Sequence, residues 1–241
     1  KGNSLGSNQD GGTIAILESS EKKTEEQKLS NNFTNECISF LTTYYDNFRE
    51  LDALPVGPIS DRTKEIIFKL KEHKDLLLNI NSELTEADSY IIHHSIKTTF
   101  LVLAIADFLK FPIHKQIEIG IAAMLHKLGM QLLPAQLYQK KGSLTPKELQ
   151  VIRTHPVISY KALKSAEFPV SIYVAVLEHH EHIDGSGYPR RLTGNKISLN
   201  GKMITSSKTL CGVPLASGTL LGLFMPPQFV GLAVWLTSAK S

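Results

Sequence analysis

His179-His180-Glu181-His182-Ile183-Asp184-Gly185-Ser186-Gly187-Tyr188-Pro189 is the stretch on which the reading of this chain turns. A helix is expected from about Val170 to His182, so the adjacent imidazoles of His179 and His180 fall at its end. Neutral imidazole is a metal ligand at physiological pH. The glycines that follow let backbone come close to a ligand. A solvated helix end is the bland alternative for such a run, and the rest of the chain has to decide.

Working outward, helical signals recur and strand signals do not. Ile38, Leu41, Tyr45 and Phe48 share one face of a helix expected over Asn35 to Leu54, closed by Pro55 and Pro58. Ser60 or Asp61 is the expected cap of the next helix, which carries Ile66, Leu70 and Leu77 toward a core. Glu86 to Leu109 presents Ile92, Ile96, Phe100, Leu103 and Ile105, and holds His94 in its first half. His114 to Lys127 is almost wholly apolar after Ile117, the pattern of a buried central helix, with His126 at its end and Gly129 as its stop. Thr145-Pro146-Lys147-Glu148 combines an N-cap, a first-turn proline and a capping-box glutamate. Another helix is expected over Val157 to Ala166. No alternating pattern of useful length appears, so the fold class is all-α.

The chain has 241 residues, 42% of them hydrophobic, enough for one sizeable core. A net charge of +3 is too mild for a nucleic-acid binder, which needs a clustered basic face. Its distribution is more telling. No Asp or Glu follows Asp184, whereas Arg190, Arg191, Lys196, Lys202 and Lys208 do. That bias suits an anionic small ligand near the Asp184–Pro189 loop, although loop charges are commonly just solvated. Cys37 and Cys211 are too few for a disulfide framework, and no basic-then-apolar leader is visible, so a cytoplasmic setting is expected.

Residues 1–30 are rich in Gly, Ser, Asn, Lys and Glu and are expected to form a disordered lead-in, with the helical domain over 31–208. The tail, 209–241, is atypical. Thr209 to Ala239 carries no charge but is cut by Gly212, Pro214, Gly218, Gly222, Pro226 and Pro227. A bilayer-spanning helix needs about 20 apolar residues without such breaks. A membrane-seeking segment, a partner-binding segment and an altered C-terminus all compete; the last is preferred, and membrane contact is not expected.

Four more islands complete a pattern: His94-Ser95, Leu125-His126-Lys127-Leu128-Gly129, His155-Pro156 and Lys202-Met203-Ile204. With the opening stretch, and in this order and spacing over about Pro55 to Lys208, they resemble the HD-GYP family, bacterial hydrolases of cyclic di-GMP within the HD superfamily. The resemblance implies an HD-superfamily helical bundle. It also implies that His94, His126, His155, His179 and His180 stand at metal-ligand positions, and that Asp184, Gly187, Tyr188 and Pro189 line the substrate end. In the family that loop is further implicated in contacts with partner signalling domains.

The departures fall on the chemistry. Lys127 stands where the family has the aspartate that bridges two metals, and Met130 where it has a lysine. Lys208 stands at the final metal-binding aspartate, and Arg191 at a glycine, where it adds a possible fork for phosphate or guanine or obstructs the pocket mouth. Tyr90 occupies a position that is glutamate in members with a third metal. His94 and His126 would then lose their metal. His155, His179 and His180 still resemble an open catalytic site, so no metal or one divalent ion (Fe, Mn or Zn) is expected there. Two aspartates with two dications carry the same formal charge as two lysines without them. Lys127 and Lys208 would thus keep the cavity cationic and able to hold a phosphate, while lacking a means to orient a hydroxide. Both lysines simply reaching for solvent is the alternative.

Three functions follow from the sequence. The domain is a module of cyclic di-GMP signalling, impaired in hydrolysis, that binds a nucleotide or a protein. Alternatively it is a metal-dependent phosphodiesterase with an altered ligand set, or a decayed product whose core persists.

Overall fold

The computed structural model describes residues 10–73, 87–140 and 142–211, and side chains within 28–73, 90–140 and 142–207. These residues form helices α1 (Asp10–Leu51), α2 (Val56–Glu72), α3 (Ala87–Phe108), α4 (Ile113–Leu125), α5 (Ala135–Tyr138), α6 (Pro146–Ile152), α7 (His155–Ser165), α8 (Val170–Glu178) and α9 (Leu199–Cys211). Two short 3-10 turns, Leu128–Leu132 and Gly194–Lys196, complete them. Among the described residues there is no strand, only an isolated bridge between Asp184 and Thr193. The fold is all-α, as expected.

The apolar run read as a central helix is α4. It packs against α2, α3, α8 and α9, and every residue from Ile119 to Leu125 is buried. Around it close Leu41, Tyr45 and Phe48 of α1, Ile59 and Ile66 of α2, Ile96, Phe100 and Leu103 of α3, and Met203 and Ile204 of α9. Tyr45 joins α1 to the end of α4: its hydroxyl donates to the Met124 carbonyl at 2.7 Å. A buried phenol needs such a partner. In α3, Thr98 and Thr99 donate back to the carbonyls of His94 and Ser95 at 2.8 Å each, so a helix with polar residues can lie inside the core. Its segment Tyr90–Phe108 is, among the described residues, long and apolar enough to cross a membrane, but most of it is buried in the bundle.

Several boundaries differ from expectation. Residues 1–9 of the expected lead-in lie outside the described residues, and from Asp10 the chain is already α1. The Lys and Glu of this stretch, read with its Gly, Ser and Asn as a lead-in, are also good helix formers, and no proline interrupts them. α2 begins at Val56 rather than near Ser60, because Pro58 falls within the first turn, where no N–H is required. Leu77 and the expected helix start at Glu86 lie outside the described residues. The last helix continues to Cys211, just past the expected boundary at 208, and the rest of the tail is outside them. Gly129 is no helix stop: α4 ends at Leu125, and Gly129 sits buried inside a 3-10 turn. A Cβ there would lie 2.3 Å from the His155 carbonyl oxygen and 2.8 Å from the Ser159 nitrogen. Its own N–H donates to Ser159 Oγ at 2.7 Å. The glycine lets this turn touch α7, which locks His126 and His155 to each other. Gly129→Ala should therefore cost roughly 1–3 kcal/mol in urea unfolding, the range of an overpacked core site.

The capping box is present. Thr145 Oγ1 accepts from the Glu148 N–H, and the Glu148 carboxylate accepts from the Thr145 N–H. Lys140 adds an ammonium at 2.7 Å. The Lys140 bond, followed by those to Thr145, holds the Glu148 carboxyl down at about 2. A depressed carboxyl contributes stability above its unfolded value, about 4.3, and loses it as pH falls through the folded one. The stability gap between the native chain and Glu148→Gln should accordingly be full at about pH 6 and shrink steadily toward pH 3.

Candidate functional site

All five histidines at the expected ligand positions come together, from four helices. His94 lies in α3, His126 caps α4, His155 opens α7, His179 caps α8, and His180 follows it. Their rings form a continuous array: His94 to His126 at 5.4 Å between centroids, His126 to His179 at 4.9 Å, His155 to His179 at 5.1 Å, and His179 to His180 at 4.3 Å. Tyr90 stacks on His94 at one end.

One local device orients three of them. The Nδ1 atoms of His126, His155 and His179 lie 2.7, 2.7 and 2.6 Å from the carbonyl oxygens of Ala123, Ile152 and Val176, in each case three residues earlier. A carbonyl only accepts, so Nδ1 carries the proton and Nε2 offers a lone pair. This is how ligand histidines are commonly fixed. Each of these residues sits at a helix end, where the last carbonyls have no partner within the helix.

The consequence is electrostatic. His155 Nε2 and His179 Nε2 face one another at 3.1 Å. Two lone pairs at that distance repel unless a proton, an ammonium or a metal ion serves them. His155, His179 and His180 offer ligand atoms that all lie within 4.8 Å of one another, and these three can hold one metal ion. Lys127 reaches the same atoms. Its Nζ is 3.3 Å from His180 Nε2 and 3.5 Å from His155 Nε2, and burial lowers its pKa to about 8. Lys127 thus points into the donor set rather than out to solvent. Met130 is buried in the core.

No carboxylate belongs to that compact set among the described residues. Two are buried next to it, and the sequence reading missed both: Glu178 and Glu181, 2% and 1% exposed. Each is engaged elsewhere. Glu181 accepts from the N–H groups of Arg190 at 2.7 Å and Leu192 at 2.8 Å. Glu178 pairs with the Arg190 guanidinium and accepts from the Ser198 N–H at 2.7 Å. Lys202 lies beside Glu178, which opposes the lowering of its pKa by burial. The signal was available in the sequence, since two glutamates flank the histidine pair in a stretch that is otherwise apolar upstream.

These carboxylates hold the loop that closes the site. Gly187 is seated against the His180–His182 backbone, where a Cβ would lie 2.3 Å from the His182 nitrogen. Tyr188 can then donate its N–H to the His180 carbonyl at 3.0 Å and stack its ring on His180 at 4.5 Å, tilted by 16°. The peptide bond to Pro189 is cis. Asp184 is exposed; its carboxylate accepts from the N–H and hydroxyl of Ser186, which hold its pKa down. It shapes the turn. Arg191 is exposed with φ 54°, the left-handed region that favours glycine, which gives a backbone reason for the glycine expected at this position. The side chain of Lys208 lies outside the described residues.

Five imidazoles from four helices thus form one cluster, three of them placed so that they could hold a metal ion. The family model for the HD domain matches residues 65–210, and the chain belongs to that family. It is 34% identical over 127 residues to the cyclic di-GMP phosphodiesterase PdeB of Borreliella burgdorferi, covering 53% of this chain and 34% of that protein. It is 34% identical over 152 residues to a cyclic di-GMP phosphodiesterase of Pseudomonas aeruginosa, covering 63% and 36%. A 3'3'-cGAMP-specific phosphodiesterase of Vibrio cholerae is 30% identical over 184 residues, covering 73% and 40%. The chain spans little more than a third of the length of the first two. In fold it matches an HDGYP protein, Bd1817, of Bdellovibrio bacteriovorus, with a TM-score of 0.65 at 19% identity over 77% of this chain and 60% of that one.

Glu181→Gln should replace one accepting oxygen by an amide donor facing a part-buried N–H. A cost of about 2 kcal/mol and faster proteolytic cleavage within 183–192 are expected, with helix content unchanged by circular dichroism.

Proposed function

We propose that this domain is a cyclic-dinucleotide-binding module of bacterial signalling, impaired in phosphodiester hydrolysis. The observation that carries this reading is the Lys127 ammonium, 3.3 and 3.5 Å from two imidazole Nε2 atoms where the family has a bridging carboxylate. Relatives at about a third identity are named cyclic di-GMP phosphodiesterases, which supports a ligand of that class.

The residues present fit one ion and not a bridged pair. His155, His179 and His180 would hold it, and an ion so bound would polarise a phosphoryl oxygen or sharpen a water as nucleophile. A bridged pair needs a side chain that binds both ions and offsets their charge. Lys127 does neither, and at about 4 Å its repulsion of a dication amounts to several kcal/mol at moderate effective dielectric. Ammonium and metal ion therefore compete for the same lone pairs. With the ammonium in place, the cavity keeps a positive charge for a phosphate. Tyr188, its ring between His180 and Arg153, joins Asp184, Gly187, Pro189, Arg191 and Lys208 in the ligand-binding set of this reading. Nothing in that set deprotonates and aims a water. Binding is retained and cleavage is not. The loop is also the surface proposed for signalling-domain partners.

The second reading, a phosphodiesterase working with a single ion, is favoured by the compact histidine triad alone. One experiment separates the two. Protein incubated with cyclic di-GMP and Mn2+ or Fe2+ should bind the nucleotide saturably and release neither linear dinucleotide nor GMP. Turnover that is lost in His179→Ala would establish the enzyme instead. In parallel, Lys127→Asp with Lys208→Asp should raise the metal content of the purified protein, because it removes the competing ammonium and restores carboxylates.

A further inference from the structure

We propose that Arg153 reads the guanine of a cyclic dinucleotide at the mouth of the histidine site. This rests on the site reading above and adds to it the residue that selects the base. Arg153 is placed by the capped helix α6, whose C-cap it forms, two residues before His155 opens α7. The corner is tight: the Arg153 N–H donates to Leu149 O at 3.0 Å, and the Thr154 hydroxyl donates to Val151 O at 2.6 Å. From this corner His155 turns inward and is 1% exposed, whereas Arg153 is exposed.

The Arg153 guanidinium lies over the Tyr188 ring, with Cζ 5.3 Å from its centroid. The same ring is stacked on His180, whose Nε2 belongs to the donor set. Arg153, Tyr188 and His180 are thus linked layer on layer from solvent to the cavity. Among the described residues the ion pairs include none to Arg153, while Arg190 on the same side is held by Glu178. A guanidinium resting over an aromatic face is restricted in its rotamers, and its planar fork of N–H groups stays available at its edge. That edge matches the O6 and N7 acceptors of guanine, the commonest specific arginine contact to a base. Adenine presents an amino donor at the first of those positions and so loses one of the two bonds. The relatives named for cyclic di-GMP and for 3'3'-cGAMP act on ligands that share at least one guanine.

The test is equilibrium titration of the whole chain with cyclic di-GMP and with cyclic di-AMP, for the native protein, Arg153→Lys and Arg153→Ala. A thermal melt of each shows that the exposed substitutions leave the fold intact. The native chain should prefer cyclic di-GMP by about tenfold or more, in line with one bidentate base contact. Arg153→Lys keeps the charge but lacks the fork, so it should lose that preference while binding cyclic di-AMP as before. Arg153→Ala should lose the preference too. If both variants keep the native ratio, or both ligands weaken equally, Arg153 is no base reader, and the site reading still stands. If the native chain binds neither nucleotide, both are overturned.

Discussion

The structure depends on three imidazoles being fixed with their protons turned outward to helix-end carbonyls and their lone pairs turned inward. Once those tautomers are set, His155 Nε2 and His179 Nε2 at 3.1 Å form an electron-rich centre that needs a positive partner. An HD-type site ordinarily meets that need with metal ions. Here an ammonium on a flexible stem has come within reach of two of the same atoms. Much of what is proposed for this chain follows from an ammonium standing at those atoms.

The surrounding scaffold is built for the histidines and not for the ion. Gly129 brings the turn after α4 into backbone contact with α7, so His126 and His155 are registered by a glycine neither of them neighbours in sequence. Tyr45 fixes the same helix end from α1. Glu178 and Glu181 tie the 190–198 segment to the end of α8, which seats Tyr188 on His180. These buried carboxylates are saturated by N–H donors and a guanidinium. Freeing either for a metal would leave buried donors without acceptors, a cost larger than most single hydrogen bonds return. Neither glutamate is therefore cheaply available to bridge metal ions at this site.

Much of this was legible in the sequence, and the parts that were not share a cause. Helix periodicity located α3 and α4, and residue types alone marked the Thr145–Glu148 cap, since both depend on contacts within a few residues. The five histidines were found through motif spacing, and they converge. The missed features depend on contacts across long separations. Gly129 resembles a helix stop until His155 is seen against it. Arg153 is an ordinary surface arginine until Tyr188, 35 residues on, is found beneath it. Glu181 reads as the solvated end of a helix until the loop folds back over it. The start of α2 differs for a simpler reason: a proline that ends one helix is equally at home in the first turn of the next.

Ammonium and metal ion differ less in charge than in what they can do with a water. A single ammonium can neutralise a phosphate and serve imidazole lone pairs, which keeps the cavity folded and receptive. It has no vacant orbital with which to bind hydroxide, so it cannot lower the pKa of a water as a metal does. The same substitution thus acts oppositely on two properties that enzymes of this kind combine: ligand capture depends on net positive charge, and bond cleavage on a held nucleophile. A site with its tautomer clamps, its loop carboxylates and its stacked tyrosine in place, and an ammonium at its donor atoms, is expected to separate the two. That is the physical basis for reading this domain as a binder of the nucleotides its relatives cleave.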